Sequence, residues 1–284
     1  MEITYKGAKV YYNIIGNGKQ NIVYLHGWGT SGKFFEFMAK DINAKNILID
    51  FPPFGKSEEP KIAYDLSDYA NIVRCILKKE DIQNFCIISH SFGTRVAIYM
   101  ITIYNMNVEK LIITGGAGLK PKNHLKKFFR RIKYKICKLF NKNYLAGSKD
   151  YRNLSNVMKQ TFNNVISLNF DKYIKKITCP TLLVFGNKDT ETPMYMAKKF
   201  YKKIKNSKLI IYKNFDHFAY IKNGEQFLLD TKIFLKDWYG IFKQTFTTII
   251  NSNSFVGNQW CNNVFYCREN ASYIATWWLQ NKKC

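Results

Sequence analysis

The feature that most constrains the fold of this chain is a series of short, almost continuous apolar runs separated by helical stretches. Strands that are buried on both faces of a parallel sheet have such runs, whereas half-exposed strands alternate apolar and polar residues. One helical stretch, residues 66–79, has the capping candidates Asp65 and Ser67 at its start. The alternation predicts an α/β fold with a doubly wound, mostly parallel sheet. The runs are residues 22–25, 47–49, 85–88, 111–113, 181–185 and 209–212.

The chain also predicts elements outside this alternation. A hairpin turned at Lys6-Gly7 opens the sequence and supplies the first two strands. Residues 118–176 contain no predicted strand, but residues 121–140 have apolar positions at helical spacing. We therefore expect a helical cap over 118–176, inserted after the sixth strand between core segments 1–117 and 177–240. Residues 241–284 are an extension whose nature the sequence does not reveal.

The net charge of +24 raises the question of nucleic-acid binding. Lys outnumbers Arg 38 to 6, however, and Asn, Ile, Phe and Tyr are plentiful, a pattern typical of A/T-rich codon usage. Base contacts and bidentate phosphate contacts favour Arg, which is scarce here. We expect no nucleic-acid partner.

The sequence favours a cytoplasmic protein without a cofactor or metal. It has no run of 18 apolar residues and no basic-then-apolar export signal after Met1. The seven cysteines have no metal-ligand spacing with one another or with histidine.

A candidate nucleophile lies at Ser91, within Ser89-His90-Ser91-Phe92-Gly93. The segment follows a buried strand and precedes an apparent helix at residues 94–103. A sharp strand-to-helix turn of this kind presents a serine hydroxyl, and small residues two places before and after it keep strand and helix apart. The Phe92 N–H would point at the reacting carbonyl oxygen.

Three further groups follow other predicted strands. His26-Gly27-Trp28-Gly29 comes after an early strand, and the Trp28 N–H could be a second oxyanion donor. Asp189 and His217 follow the last two strands. Because parallel strands present their carboxyl ends at one edge, we expect Ser91, Asp189 and His217 to meet there.

At these positions the chain resembles the α/β-hydrolase family over residues 1 to about 240. Residues 50–57, Asp-Phe-Pro-Pro-Phe-Gly-Lys-Ser, also resemble the family loop that follows the fourth strand. Two positions depart from the family pattern: Ser89 and Pro53 stand where glycine is usual. The resemblance implies the fold, a cap and hydrolytic chemistry, but not the substrate.

The assignments predict an acyl-enzyme mechanism. His217 would take the proton of Ser91, and Asp189 would orient the imidazole. Asp216, next to His217, is the alternative acid. We interpret His26, His90 and His124 as structural histidines.

The default substrate is a small to medium apolar ester held under the cap, with Phe128, Phe129 and Phe218 as substrate-binding candidates. Alternatives with the same triad are cleavage of a carbon–carbon or peptide bond; a function of another class is a receptor that binds a small ligand without turnover. Residues 118–176 carry 16 basic and 2 acidic side chains. Such a cap could meet an acidic carrier protein or an anionic membrane surface, although solvated lysines are the simpler interpretation.

Overall fold

The computed structural model describes residues 1–120 and 154–236. The predicted helix over 121–140, with Phe128 and Phe129, and the extension over 241–284 lie outside these residues. The division into core, cap and extension stays a prediction.

Eight strands form one sheet in the order β1-β2-β4-β3-β5-β6-β7-β8. The opening hairpin is antiparallel and β2 pairs antiparallel with β4, whereas every other neighbouring pair is parallel. The predicted mostly parallel α/β sheet is therefore confirmed. The strands are β1 (Glu2–Tyr5), β2 (Ala8–Ile15), β3 (Asn21–Leu25), β4 (Lys45–Ile49), β5 (Cys86–His90), β6 (Leu111–Thr114), β7 (Thr181–Gly186) and β8 (Ser207–Tyr212).

The sheet is covered on both faces, which explains the continuous apolar runs. In β3, Val23 and Leu25 belong to one hydrophobic cluster, while Ile22 and Tyr24 belong to the other. Such two-sided burial is expected of parallel strands. The described helices are α1 (Glu36–Asp41), α2 (Leu66–Lys79), α3 (Phe92–Thr102), α4 (Asn156–Ser167), α5 (Met194–Lys203), α6 (Ala219–Lys222) and α7 (Gly224–Lys236), with short 3-10 helices at Gly32–Phe35 and Ile174–Lys176.

The loop after β4 is folded around the Asp50 carboxylate. This carboxylate accepts hydrogen bonds from the N–H groups of Gly32 (2.8 Å) and Lys56 (2.9 Å). Gly55 has φ +62°, and a Cβ there would lie 2.1 Å from Asp50 Oδ2. The Ser57 hydroxyl donates to the Asp50 carbonyl oxygen and accepts from the Tyr11 N–H. The Asp, Gly and Ser positions of the loop motif thus meet hydrogen-bonding and steric needs, with Pro53 accommodated between them.

The described end of the predicted cap, residues 154–176, contains α4 and a 3-10 helix and contacts the connection between β4 and α2 as well as α3. The Thr161 hydroxyl accepts the N–H of Tyr64 at 2.9 Å. Arg95, on α3, donates to the carbonyl oxygens of Val165 (3.3 Å) and Leu168 (3.0 Å) at the end of α4. Burial lowers the pKa of Arg95 to about 10.

The turn between β5 and α3 is shorter than the sequence predicts. The strand continues to His90 and the helix begins at Phe92, not at Thr94, so Ser91 alone connects them. Gly93 makes this possible, because a Cβ at that position would lie 2.1 Å from the Leu25 carbonyl oxygen at the end of β3. The start of α3 is therefore held against β3 without space for a side chain.

We predict that Gly93→Ala lowers the free energy of unfolding by roughly 2–4 kcal/mol, because the methyl group forces α3 away from the Leu25 carbonyl. The measurement is guanidinium unfolding. Gly7→Ala is the matched control: Gly7 has φ +79° with open space around a Cβ, so only a backbone cost of about 1 kcal/mol is expected. Equal losses in the two variants would contradict the steric account.

Candidate active site

Ser91 has a backbone conformation that is rare for residues with a side chain. Its φ is +48° and its ψ is −110°. Its N–H donates to the Thr114 carbonyl oxygen (3.2 Å), and its own carbonyl oxygen accepts from Thr94 (3.1 Å) and Ala117 (3.2 Å). Such conformations cost about 1–3 kcal/mol and persist only where the surroundings fix them. The strained turn predicted around the candidate nucleophile is therefore present.

Ser89, the departure from the glycine of the motif, is accommodated by hydrogen bonds. The side chain is buried, and its hydroxyl donates to the Ile112 carbonyl oxygen at 3.1 Å. It also lies 3.2 Å from the Thr94 hydroxyl. A buried hydroxyl with partners costs little. This residue consequently joins β5, β6 and α3 without disturbing the turn.

The two predicted oxyanion donors, the N–H groups of Trp28 and Phe92, lie on neighbouring segments. The Trp28 and Phe92 rings contact each other with centroids 5.5 Å apart. Phe92 is the first residue of α3, where N–H groups have no intrahelical partner. The Thr30 N–H closes a turn onto the Gly27 carbonyl oxygen (3.2 Å), with Gly29 at φ +79°. Within residues 1–120 and 154–236, neither the Trp28 nor the Phe92 amide has a hydrogen-bond acceptor.

His217 and Asp189 form a buried pair at the carboxyl ends of β7 and β8. Nδ1 of His217 lies 2.8 Å from Oδ2 of Asp189, and the two side chains are 6% and 0% exposed. The Thr192 hydroxyl donates to the same oxygen at 2.6 Å. Gly186 permits this approach of the two loops, because a Cβ there would lie 2.2 Å from the Phe215 carbonyl oxygen.

The electrostatics of the pair favour an ionised Asp189. Burial raises the pKa of the Asp189 carboxyl, but hydrogen bonds from His217 and Thr192 outweigh it and hold that pKa below its usual value. Asp216, the alternative acid, is instead half exposed and bound to Lys222, which lowers its pKa. In this geometry Asp189, not Asp216, is the carboxylate that contacts the His217 imidazole.

Ser91 and His217 each lie close to the end of β6. Thr114 accepts the Ser91 N–H, and a Cβ on the next residue, Gly115, would lie 3.1 Å from Nδ1 of His217. In the described parts of the chain, no hydrogen bond joins the Ser91 hydroxyl to His217; Nε2 instead lies 3.4 Å from Oε2 of Glu191. Nucleophile–base contacts are often long when no substrate is bound.

Sequence comparison supplies the family. A family model for the α/β hydrolase fold matches residues 20–155, and one described as a TAP-like protein matches residues 167–229. The chain belongs to the α/β-hydrolase fold family.

Two sequence relatives and one solved structure show which proteins this α/β-hydrolase is similar to. A pimeloyl-[acyl-carrier protein] methyl ester esterase of Wigglesworthia glossinidia brevipalpis is 27% identical, over 80% of this chain and 97% of that protein. A 2-hydroxy-6-oxononadienedioate/2-hydroxy-6-oxononatrienedioate hydrolase of Escherichia coli is 23% identical, over 78% and 89%. The structure of an esterase from Exiguobacterium antarcticum shares the fold, with a TM-score of 0.64, 21% identity and coverage of 81% and 96%.

An aromatic wall stands beside the two amides of this α/β-hydrolase. The Trp28 ring contacts Phe54 (5.0 Å between centroids) and Phe162 of α4 (5.1 Å). Sequence reasoning missed Phe54 and Phe162, because nothing in local periodicity brings them together. Phe218, predicted to bind substrate, is half-buried against His90 (5.4 Å) and His217 (5.6 Å). Sequence reasoning also missed Glu191 and Thr192; an Asp followed by Thr three residues later was the available signal.

Two buried histidines support the site as neutral groups. His26 lies 2.7 Å through Nδ1 from the Gly27 carbonyl oxygen, and its Nε2 accepts the Phe51 N–H at 2.8 Å. His90 lies against the His217 ring, with centroids 4.7 Å apart. Burial lowers the pKa of His26 to about 4, and burial together with the neighbouring His217 lowers that of His90 to about 3. The described contacts of both histidines are those of structural residues.

Neither a membrane span nor a metal cluster occurs in residues 1–120 and 154–236. The helices there are too short or too polar to cross a bilayer. The same residues contain no group of three or more His, Cys, Asp or Glu side chains able to hold a metal ion.

We predict that the two buried histidines make stability fall on acidification. Their folded-state pKa values, about 4 and about 3, lie below the unfolded value of about 6.5, so the unfolded chain binds more protons below pH 6.5. The stabilisation that comes from keeping both histidines neutral is fully present above about pH 6.5. Each histidine should remove roughly 1 kcal/mol of stability between pH 7.5 and 5.5.

Guanidinium unfolding at pH 7.5 and 5.5 measures this loss. Replacing either residue, as His26→Gln or His90→Gln, should reduce the pH-dependent loss by roughly 1 kcal/mol, whatever the absolute stability of the variant. If a variant loses as much stability between pH 7.5 and 5.5 as the wild type does, the replaced histidine has the same pKa in the folded and unfolded protein, and burial does not lower it.

Proposed function

We propose that the protein hydrolyses a carboxylic ester of a small to medium apolar substrate through an acyl-enzyme intermediate on Ser91. The observation that carries this proposal is the buried His217–Asp189 pair, which lies at the same carboxyl edge of the sheet as a serine held at φ +48°. Pairs of this kind activate hydroxyl nucleophiles on several unrelated folds. The family membership supports the same chemistry.

The residues would act in sequence. His217 accepts the Ser91 proton through Nε2 as Oγ attacks the ester carbonyl carbon, while Asp189 stabilises the imidazolium. The Trp28 and Phe92 N–H groups stabilise the oxyanion, and loss of one such donor typically costs about 10²–10³ in rate. The alcohol leaves with the proton from Nε2. Water, activated by the same imidazole, then releases the acid.

The aromatic wall supports an apolar acyl group. The Trp28 ring contacts both Phe54 and Phe162 next to the two proposed oxyanion donors, so an acyl chain bound there would lie against rings rather than polar groups. Phe128, Phe129 and Phe218 remain predicted contacts. Cleavage of a carbon–carbon bond is an alternative, since one relative bears the name of a dienedioate hydrolase. Peptide cleavage by the same triad and small-ligand binding without turnover also stay candidate functions.

We predict that p-nitrophenyl esters from acetate to octanoate are hydrolysed by the wild type, and that Ser91→Ala and His217→Ala each lose about 10³-fold or more in kcat. Fluorophosphonate labelling, mapped by mass spectrometry, should place the label on Ser91. Asp189→Asn should lose about 10³–10⁴-fold, whereas Asp216→Asn is the matched control and should lose less than about 3-fold. An active Ser91→Ala variant, or a label elsewhere, would remove the catalytic assignment.

A second candidate is an ester carried on an acidic carrier protein. The relative named as an acyl-carrier-protein methyl ester esterase spans 80% of this chain. The local charge of residues 118–176 is +14, from 16 basic and 2 acidic side chains. A segment with this net charge would attract an acidic carrier at low salt.

We predict that hydrolysis of a carrier-bound methyl ester loses about 10-fold in kcat/KM between 50 and 500 mM NaCl, because salt screens the attraction. The free methyl ester of the same acid should change by less than about 2-fold. Lys172→Glu/Lys175→Glu, at exposed positions, should weaken carrier turnover alone, and Lys19→Glu serves as the control. Equal salt dependence for carrier-bound and free esters would exclude this candidate.

A further inference from the structure

One charged side chain reaches the catalytic imidazole without a place in the mechanism above. Oε2 of Glu191 lies 3.4 Å from Nε2 of His217. The Glu191 side chain is 64% exposed, whereas His217 is 6% exposed. Nε2 is the atom that would protonate the leaving alcohol. Any group close to the leaving oxygen of an ester would therefore come near this carboxylate.

The backbone of Glu191 is fixed by the acid of the proposed triad. Its N–H donates to Oδ1 of Asp189 at 2.8 Å, and the N–H of Thr192 donates to the same oxygen at 2.8 Å. The Thr192 hydroxyl holds the second oxygen. The carboxylate that orients His217 on one side thus also sets the position of Glu191 on the other.

The charges around the imidazole add up to an acidic centre in a basic chain. Asp189 faces Nδ1, Glu191 faces Nε2, and the neutral ring of His90 lies 4.7 Å away between centroids. Among the described residues, His217 is the ionic partner of Glu191. Counting the described residues alone, one negative charge is left without a compensating cation beside Nε2 even when the imidazole is protonated.

We propose that Glu191 is a specificity-determining residue that favours esters whose alcohol portion is cationic or neutral over those whose alcohol portion bears a carboxylate. The inference rests on the proposed ester hydrolysis. In the acylation step, Ser91 Oγ bonds to the carbonyl carbon, the carbon–oxygen bond to the alcohol breaks, and the alcohol oxygen takes the proton from Nε2. A positive charge two or three bonds beyond that oxygen lies within reach of Glu191, and a negative charge is repelled.

Three acetate esters of similar size vary the charge of the alcohol portion. Acetylcholine is cationic, 3,3-dimethylbutyl acetate is its neutral isostere, and 4-acetoxybutanoate is anionic. We expect Glu191→Gln to lower the cationic-to-neutral ratio of kcat/KM by about 3- to 10-fold and to lower the neutral-to-anionic ratio similarly, a moderate effect because the carboxylate is solvent-exposed. Glu191→Asp, which keeps the charge, should retain most of the selectivity.

The ratios separate charge selection from a structural role. A merely damaged site would lower all three rates together and leave the ratios unchanged. Glu2→Gln, which removes one negative charge at the far edge strand, should leave the ratios as in the wild type. The difference between wild type and Glu191→Gln should shrink in 0.5 M NaCl, because the carboxylate is accessible to salt.

The outcomes distinguish this inference from the proposed function. If the wild type hydrolyses these esters and Glu191→Gln has unchanged ratios, charge selection by Glu191 is wrong and ester hydrolysis stands. If the wild type hydrolyses neither these esters nor p-nitrophenyl acetate, ester hydrolysis itself fails, and the inference fails with it.

Discussion

The close approach of α3 to the end of β3 is the constraint on which the rest of the site depends. With no room for a Cβ at Gly93, the helix begins directly over the Leu25 carbonyl oxygen. The chain must then pass from β5 to α3 through one residue, and Ser91 takes φ +48° to do so. Burial of the apolar face of α3 offsets this local cost, since residues such as Val96 and Met100 are fully buried. Within the described parts of the chain, the same crossing leaves the Phe92 amide without a hydrogen-bond acceptor beside Trp28.

Around this turn, buried polar groups are arranged so that one ionised carboxylate, that of Asp189, is left at the centre. His26 and His90 are buried neutral, and their ring nitrogens contact backbone groups. Asp189, by contrast, accepts enough hydrogen bonds to remain ionised despite burial. A carboxylate facing an imidazole in a site of low polarity has a stronger effect than the same pair in water. Two neutral histidines and one ionised carboxylate thus surround the His217 imidazole.

The sequence predicts the framework well, because the framework is encoded in local patterns. The strands are recognisable from continuous apolar runs, and α2 matches its predicted range, with Asp65 accepting the N–H groups of Ser67 and Asp68. The order of Ser91, Asp189 and His217 also follows, because each lies just past a strand. What local patterns cannot give is which side chains meet across the fold. Phe162 reaches Trp28, and Glu191 reaches His217, through tertiary packing alone.

The departures from the family motifs show what those motifs require. At Ser89 the requirement is for a small residue, and a hydroxyl is acceptable because Ile112 and Thr94 provide partners. At Pro53 the loop accommodates a proline ring. The Asp50 carboxylate still accepts the N–H groups of Gly32 and Lys56, and Gly55 has no Cβ that would collide with it. The motif glycines that cannot vary here are those whose Cβ would strike backbone or carboxylate, namely Gly93 and Gly55. A motif position is therefore best interpreted through the atom that a side chain would contact there. At Glu191 the side chain is largely exposed to solvent, so a charged group is tolerated.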